Sequence, residues 1–482
     1  MSPARKSPAK TDAKARKARP SLAASHRAEG PAVAEAHLPS DAELRRIADR
    51  VLRFSHDADE TEIEISAAAD ALTRFANNTI HQNVAEHALS VSVRTVFDGR
   101  TARATTNKID DDSLKRVVAA SAELARSQPK NPDLLPMPGK QKYPKIERYF
   151  ASTAAATPVH RAHAVTRVCT QATEQGHTTA GILSTGATAM AIGNSRGLWA
   201  IHRQTRAEFS VTMLDKDSSG WAKASSPDLN SFNPEALAAS ASQKAAASRA
   251  PREVEPGRWT VILEPAATLD IVGFLFYDFA GTAVHDQRSC FNKRIGKQVM
   301  GENITIRDDV THPLQSGAPF DGEGMARQKV LLVDRGVPKN LVYARATAKK
   351  MKAKPTGHGL PLPNQDGEAP LNLVFDGGNS SLEEMIASTE RGILVTRMWY
   401  IREVEPYEKV LTGMTRDGTF LVENGRIVSG IRNFRFNQGV LEMLSNVEQM
   451  SVPVRAAGEE SFDMVVPAMK IRNFRFSEVT KF

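Results

Sequence analysis

A regular pattern of hydrophobic and polar positions begins near residue 40. Hydrophobic residues recur first at helical spacing and then at every second position, which predicts helices interleaved with strands. Ser40 and Glu43 form a capping box ahead of apolar residues at helical spacing. The segments 61–66 and 88–97 alternate with a period of two, as half-buried strands do. Asp98-Gly99 then gives a turn signal.

Helical and strand patterns continue to alternate up to about residue 250. Helices are predicted from about Asp112, after Thr157-Pro158 and over 233–249. The stretch 181–214 is interpreted as three short strands around a Gly-Asn-Ser-Arg-Gly turn. These elements predict an N-terminal α/β layered domain.

Strand patterns dominate after residue 250. Strands are predicted at 258–265 and 391–404, and a hairpin-like pair at 329–348. Residues 266–280 are a helix candidate. Asp417-Gly418 and Asn424-Gly425 are turn signals. The predicted fold class is therefore α+β, with a β-rich C-terminal domain that is antiparallel and barrel- or sandwich-like.

The hexapeptide IRNFRF occurs at 431–436 and again at 471–476. Its flanks differ, so no longer repeat extends from it. An aromatic nucleic-acid platform would need a basic surround, which the flanking sequence lacks. Two core strands that bury their phenylalanine pairs are the favoured interpretation.

The net charge of +8 is concentrated at one end of the chain. Residues 1–20 hold seven basic residues and one acidic residue, which leaves +2 for the other 462 residues. The predicted organisation is a disordered basic tail at 1–39, an N-terminal α+β domain at 40–250 and the β-rich domain at 251–482. Because the folded part is nearly neutral, DNA is not the expected partner.

The composition excludes several further classes of protein. No apolar run approaches the roughly 20 residues that span a bilayer, and the N-terminus lacks the apolar core of a secretory signal. Two distant cysteines, Cys169 and Cys290, exclude a disulfide scaffold and a CxxC zinc site. These features predict a cytoplasmic protein.

Candidate chemistry is confined to one segment, which contains Asp278, His285, Asp286 and Cys290. A cysteine and a histidine within hydrogen-bonding reach could form an activated nucleophile. The alternative is that all four residues are structural. HExxH and phosphate-loop motifs are absent from the sequence.

Four blocks of the sequence resemble one known family. They are GILVTRMWYIREV…LEMLSNV (392–447), PFDGEGMARQ…ARATA (319–348), SVSVRTVFDGR…KRVVAASAELAR (90–126) and VPAMKIRNFRF (466–476). They are similar to the TldD/PmbA family, long called modulators of DNA gyrase. The likeness runs from about residue 41 to 480, and the block at 392–447 is its most specific part.

The resemblance implies a TldD-like metallopeptidase architecture, in which a TldD-type subunit pairs with a TldE/PmbA-type subunit to process small unfolded peptides. It also implies a zinc site in the TldD-type subunit, from HExxxH on a helix and a later cysteine. The equivalent stretch here, 270–281, has no histidine, and no cysteine follows Cys290. No metal ligand or cofactor is therefore predicted for this chain, and zinc is expected only in a TldD-type partner.

Three functions remain open from the sequence. The chain could be a non-catalytic subunit that pairs with a TldD-type subunit or with itself and contacts a peptide substrate. It could be a divergent hydrolase with its own site around Asp278, His285 and Cys290. It could also be a DNA-associated modulator that acts through the basic tail.

Overall fold

The computed structural model describes residues 38–480. The part of the predicted tail at 1–37 lies outside the described residues. The α-helices within residues 38–480 are α1 (Asp41–Phe54), α2 (Asp111–Ser127), α3 (Ala151–Ala154), α4 (Pro158–Glu174), α5 (Pro234–Ala247), α6 (Pro265–Val272), α7 (Gly281–His285), α8 (Arg345–Lys350), α9 (Leu382–Ala387) and α10 (Val440–Ser445). Between residues 38 and 480, no helix is long and apolar enough to cross a bilayer.

Nineteen strands are described, of which six form the N-terminal part. The strands are β1 (Glu60–Ala76), β2 (Thr79–Phe97), β3 (Arg100–Thr106), β4 (Thr178–Asn194), β5 (Trp199–Leu214), β6 (Ser219–Ser226), β7 (Gly257–Leu263), β8 (Ile306–Asp308), β9 (Val330–Asp334), β10 (Val337–Pro338), β11 (Leu373–Phe375), β12 (Arg391–Glu405), β13 (Val410–Glu423), β14 (Arg426–Gly430), β15 (Phe434–Gly439), β16 (Val447–Met450), β17 (Val454–Ala456), β18 (Met464–Val466) and β19 (Met469–Val479).

The N-terminal sheet is antiparallel throughout, with strand order β3-β2-β1-β4-β5-β6. Helix α1 begins at the predicted capping box, since Ser40 and Glu43 each accept the backbone N–H of the other. The apolar sides of α1 and α2 bury Leu44 and Leu114 against Ile63 of the sheet. Farther along the strands, α4 and α5 cover the sheet in the same way. The predicted α+β layering is confirmed.

The C-terminal part is built around a closed five-stranded barrel. Strands β12, β7, β19, β15 and β13 pair in that order, and β13 pairs back with β12. Four of the pairings are antiparallel, but β7 and β12 run parallel. A second sheet has the order β10-β9-β8-β11-β18-β17. The barrel alternative for this β-rich part is therefore confirmed, with one parallel pair that the sequence pattern did not predict.

The two copies of IRNFRF lie on neighbouring strands of the barrel. Phe436 pairs with Phe476 in the antiparallel ladder between β15 and β19. Phe434, Phe436, Phe474 and Phe476 are all at most 2% exposed. The rings of Phe434 and Phe476 stack with centroids 4.6 Å apart. The repeated hexapeptide thus supplies both sides of one aromatic core, as the core-strand interpretation predicted.

Three local predictions were wrong. The stretch 181–214 forms two long strands, β4 and β5, because each continues the ladder of a long neighbour. The helix predicted over 266–280 ends at Val272 and continues as a 3₁₀ helix, Gly273–Phe279. Asp417 and Gly418 have positive φ angles inside β13 and form a bulge opposite β12 rather than a hairpin turn. The Asn424-Gly425 turn, between β13 and β14, is confirmed.

Candidate functional site

The segment that bears the candidate residues runs from Pro265 to Cys290 along one side of the barrel. Helix α6 follows β7 directly, with Pro265 in its first turn, where the missing N–H costs no helical bond. The α-helix changes to a 3₁₀ helix at Gly273, where a Cβ would lie 2.1 Å from Ser461 Oγ. The missing side chain of Gly273 lets the segment 457–463, which we call the strap, lie against the chain here.

Asp270 anchors the strap although it is fully buried. Its Oδ1 accepts the backbone N–H groups of Glu459 (3.1 Å) and Glu460 (3.2 Å), and its Oδ2 accepts that of Met398 (3.2 Å). Gly458 is required beside it, because a Cβ there would lie 2.2 Å from Oδ1. Burial raises the pKa of Asp270 to about 7, although the three N–H groups oppose the shift.

The strap also binds β12 where its pairing with β13 is interrupted, between Trp399 and Arg402. The carboxylate of Glu460 accepts the N–H groups of Tyr400 (2.6 Å) and Ile401 (3.3 Å). Tyr400 has a positive φ of 55° and is 56% exposed. A cavity of ≈ 410 Å³ opens beside the strap, and Phe276 and Phe462 meet edge to face in its wall at 5.4 Å. We call this cavity the cleft; its walls are aromatic and its rim carries two carboxylates.

A pH dependence of stability follows from Asp270. Its pKa is raised by folding, so the native state holds a proton that the unfolded chain loses above about pH 4. The free energy of unfolding should therefore fall as pH rises from about 4 to about 7. We expect the wild type to lose on the order of 3 kcal/mol relative to Asp270→Asn over that range. Urea unfolding of both proteins at several pH values measures this difference.

The exposed Asp133 supplies the control. Because Asp133→Asn removes a carboxylate that the fold does not bury, its stability should follow that of the wild type with pH. A constant difference between wild type and Asp270→Asn at every pH would contradict a titrating Asp270.

Asp278 and Cys290 lie side by side in the core. The backbone N–H of Cys290 donates to Asp278 Oδ1 at 2.7 Å, and Lys409 Nζ lies 2.5 Å from Asp278 Oδ2. Lys409 also reaches Glu403 at 2.6 Å. Burial alone would lower the pKa of Lys409, but the charge of Asp278 and the hydrogen bonds outweigh it and raise the pKa. Asp278 and Lys409 thus form a buried ion pair.

The other two predicted site residues lie elsewhere. His285 ends α7 at the surface, and the exposed Asp286 forms an ion pair with Arg288 at 3.1 Å. Among the described residues, neither hydrogen-bonds to Cys290 or Asp278. Burial, followed by the charge of Asp278, raises the pKa of the Cys290 thiol, which disfavours the thiolate. The structure therefore groups Asp278 with Cys290 and leaves His285 and Asp286 apart; a catalytic role for the four residues stays a prediction.

The donor set does not fit a zinc ion. Residues 270–281 offer two carboxylates and no imidazole or thiolate. The Asp270 oxygens are engaged by backbone N–H groups, and those of Asp278 by Lys409 and Cys290. Across residues 38–480, no three His, Cys, Asp or Glu side chains converge on a possible metal position. Coordination would require these interactions to break first.

Sequence reasoning missed Lys409 and the strap. Lys409 has a φ of 50° and directly precedes β13, and no local pattern predicts that it is buried. Glu459, Glu460 and Phe462 are far from Asp270 along the chain. Only tertiary packing brings them to the cleft.

Comparison with known proteins gives a consistent match along the chain. Residues 61–125 match PmbA/TldA metallopeptidase domain 1, residues 151–249 match the central domain, and residues 256–478 match the C-terminal domain. The chain belongs to the PmbA/TldD metallopeptidase family. The family resemblance inferred from the sequence blocks is confirmed.

Curated relatives in this family align with parts of the chain. A metalloprotease of Methanocaldococcus jannaschii is 26% identical over 204 residues, which cover 40% of this chain and 44% of that protein. Metalloprotease PmbA of Escherichia coli O157:H7 is 22% identical over 291 residues, which cover 58% and 61%. The match thus spans less than half of the first of these relatives.

Solved structures share the fold over most of the chain. TldE from Thermococcus kodakarensis superposes with a TM-score of 0.83 at 20% identity, over 90% of this chain and all of that one. A protein described as a modulator of a DNA gyrase, from Thermotoga maritima, gives 0.79 at 18% identity, with the same shares covered. At these identities the likeness establishes the fold alone.

The family-like block at 319–348 contains a turn that contacts the N-terminal part of the fold. In the Asp321-Gly322-Glu323-Gly324 turn, Asp321 Oδ1 accepts the N–H groups of Glu323 and Met325, and Oδ2 accepts that of Gly359 at 2.7 Å. Gly322 is required because a Cβ would lie 2.3 Å from the nitrogen of Pro361. Tyr143 of the N-terminal part donates to the Gly324 carbonyl at 2.8 Å. This block therefore joins the N- and C-terminal parts.

Proposed function

We propose that this chain is the subunit without zinc of a TldD-type metallopeptidase complex that processes or degrades small unfolded peptides. The observation that carries the proposal is the state of the segment 270–281. It lies in a family fold, beside a cleft, yet its carboxylates hold the strap and a buried lysine instead of a metal. Such a chain can shape a peptide site and stabilise a partner without polarising water itself.

The cleft has the surface chemistry that an extended peptide needs. Its aromatic walls suit apolar side chains, and Glu459 at its rim suits basic ones. Strand β17, at the end of the second sheet, leads directly into the strap. Backbone groups on the open edge of such a strand can pair with a peptide of almost any sequence. A peptide that pairs with β17 would lie next to the strap, and its next residues would extend toward the cleft.

Zinc content tests the proposal on the isolated protein. We expect purified protein to hold well under one equivalent of zinc by elemental analysis, because the donor set described above is already engaged. His285→Ala should leave that content unchanged. Stoichiometric zinc that is lost in His285→Ala would overturn the proposal and support the hydrolase alternative.

Co-expression with a TldD-type protein from the same genome tests the partner role. The two chains should co-purify, peptidase activity should require both, and a chelator should abolish that activity by removing zinc from the partner. A failure to co-purify, together with unchanged peptidase activity of the partner alone, would count against the proposal.

A further inference from the structure

A second, polar cavity of ≈ 510 Å³ lies where the N-terminal part meets the barrel. The β5–β6 turn and the end of α5 form one side, and the β13 bulge and the start of the first IRNFRF copy form the other. We call it the junction pocket. Its volume lies in the range of small-ligand sites, about 300–1,000 Å³. It shares no lining residue with the cleft.

The floor of the junction pocket is fixed by hydrogen bonds within the protein. Asp417 is paired with the buried Arg397, and its Oδ1 accepts the Ser219 hydroxyl at 2.5 Å. Asn433 Oδ1 accepts the Thr419 hydroxyl at 2.9 Å. These bonds orient the Asn433 amide but use only its oxygen. Within residues 38–480 no partner engages the Nδ2 donor of Asn433, so it is available to a ligand.

Ser248, at the end of α5, lines the pocket and is only 8% exposed. Within residues 38–480 its hydroxyl makes no hydrogen bond. Its backbone is held in place because its N–H donates to the carbonyls of Lys244 (3.0 Å) and Ala245 (3.2 Å). Buried hydroxyl groups are nearly always paired in folded proteins. Ser248 is therefore a preplaced donor or acceptor for a molecule in the pocket.

One charged side chain of each sign completes the lining. Asp217 accepts the Ala250 N–H at 3.0 Å and has no basic side chain within ion-pair distance among the described residues. Arg432 is half exposed, and among the described residues its ion-pair partner is Glu253, at 3.9 Å. The pocket thus offers a carboxylate, a guanidinium and two uncommitted polar groups, Ser248 Oγ and Asn433 Nδ2.

We propose that the junction pocket binds a short peptide whose amino and carboxyl termini are both free. Asp217 takes the ammonium group, Arg432 takes the carboxylate, and Ser248 and Asn433 donate to peptide or carboxylate oxygens. A ligand of this class matches both charges and satisfies the buried hydroxyl. The inference concerns the isolated chain and goes beyond the partner role, which can fail without affecting it.

Calorimetric titration of the full chain with trialanine tests the inference. Trialanine should bind, and trialanine that is acetylated and amidated should not, because it lacks both charges. Arg432→Ala and Ser248→Ala should each weaken trialanine binding about ten-fold or more. Arg426→Ala, at an exposed arginine of β14 outside the pocket, is the charge-matched control and should bind as the wild type does.

Unfolding measurements separate a ligand role of Ser248 from a structural one. Ser248→Ala removes no hydrogen bond of the protein, so its thermal midpoint without peptide should equal or exceed that of the wild type. A lower midpoint with unchanged trialanine binding would show a structural serine and overturn the assignment. Equal binding of blocked and free trialanine, or no binding of trialanine at about 10 mM, would overturn the proposed ligand class.

Discussion

Phe434→Ala is expected to lower the free energy of unfolding by about 3–5 kcal/mol. The Phe434 ring is fully buried and stacks on Phe476 with an interplanar angle of 22°. Truncation removes the buried apolar surface and leaves a void between two strands that the barrel closure holds in register. Urea unfolding followed by far-UV circular dichroism measures the loss.

A double-mutant cycle isolates the contact between the two hexapeptide copies. Phe434→Ala and Phe476→Ala should show a coupling of about 0.5–1.5 kcal/mol, the usual range for an aromatic pair. Phe434→Leu keeps most of the volume and provides a folded variant if the alanine protein does not fold. Phe150→Ala, at a ring that is 37% exposed, is the control and should cost clearly less. Strict additivity of the two core changes would contradict a direct contact.

Lys409→Met should cost about 3–5 kcal/mol of stability, because it leaves the carboxylate of Asp278 buried without its cation. Asp278 is 2% exposed, and after the change its remaining partners among the described residues belong to Cys290. Methionine has a similar length, so the loss reflects charge more than volume. Because protonation of Asp278 removes the uncompensated charge, the deficit should shrink as pH falls. Unfolding at pH 8 and pH 5 measures both effects.

Two further proteins test the origin of that loss. Lys409→Met combined with Asp278→Leu replaces the ion pair by apolar side chains and should recover much of the stability. Lys130→Met removes the lysine of a pair with Asp98 at 2.7 Å, in which both side chains are more than half exposed. That change should cost at most about 1 kcal/mol. Equal losses at Lys409 and Lys130 would show that burial of the Asp278 pair has no energetic consequence.

The predicted site and the observed geometry agree only in part, and the reason is physical. The sequence singled out Asp278 and Cys290 because they carry reactive groups, and the fold does place them together. Burial and the charge of Asp278 raise the pKa of the thiol and hold it protonated, although Lys409 opposes the shift. Chemical type is visible in a sequence, but the dielectric surroundings that set a pKa are made by distant segments.

Local patterns were sufficient for the elements whose causes are local. The capping box at Ser40 and the Asn424-Gly425 turn depend on residues within one turn of chain, so they could be predicted from a few letters. Period-two alternation placed Phe434 and Phe436 on one buried face of a strand. The resemblance of four sequence blocks to a known family predicted that an α+β part is followed by a β-rich part.

Long-range packing decided the remainder. The sequence could not show that two distant hexapeptides become strand neighbours, that β12 closes the barrel by pairing with both β7 and β13, or that Asp417-Gly418 becomes a bulge. Each depends on backbone hydrogen bonds between segments far apart in the chain, whose partners leave no trace in local composition. The same holds for Asp270, whose three N–H donors come from β12 and the strap. Their convergence exists only after the barrel has formed.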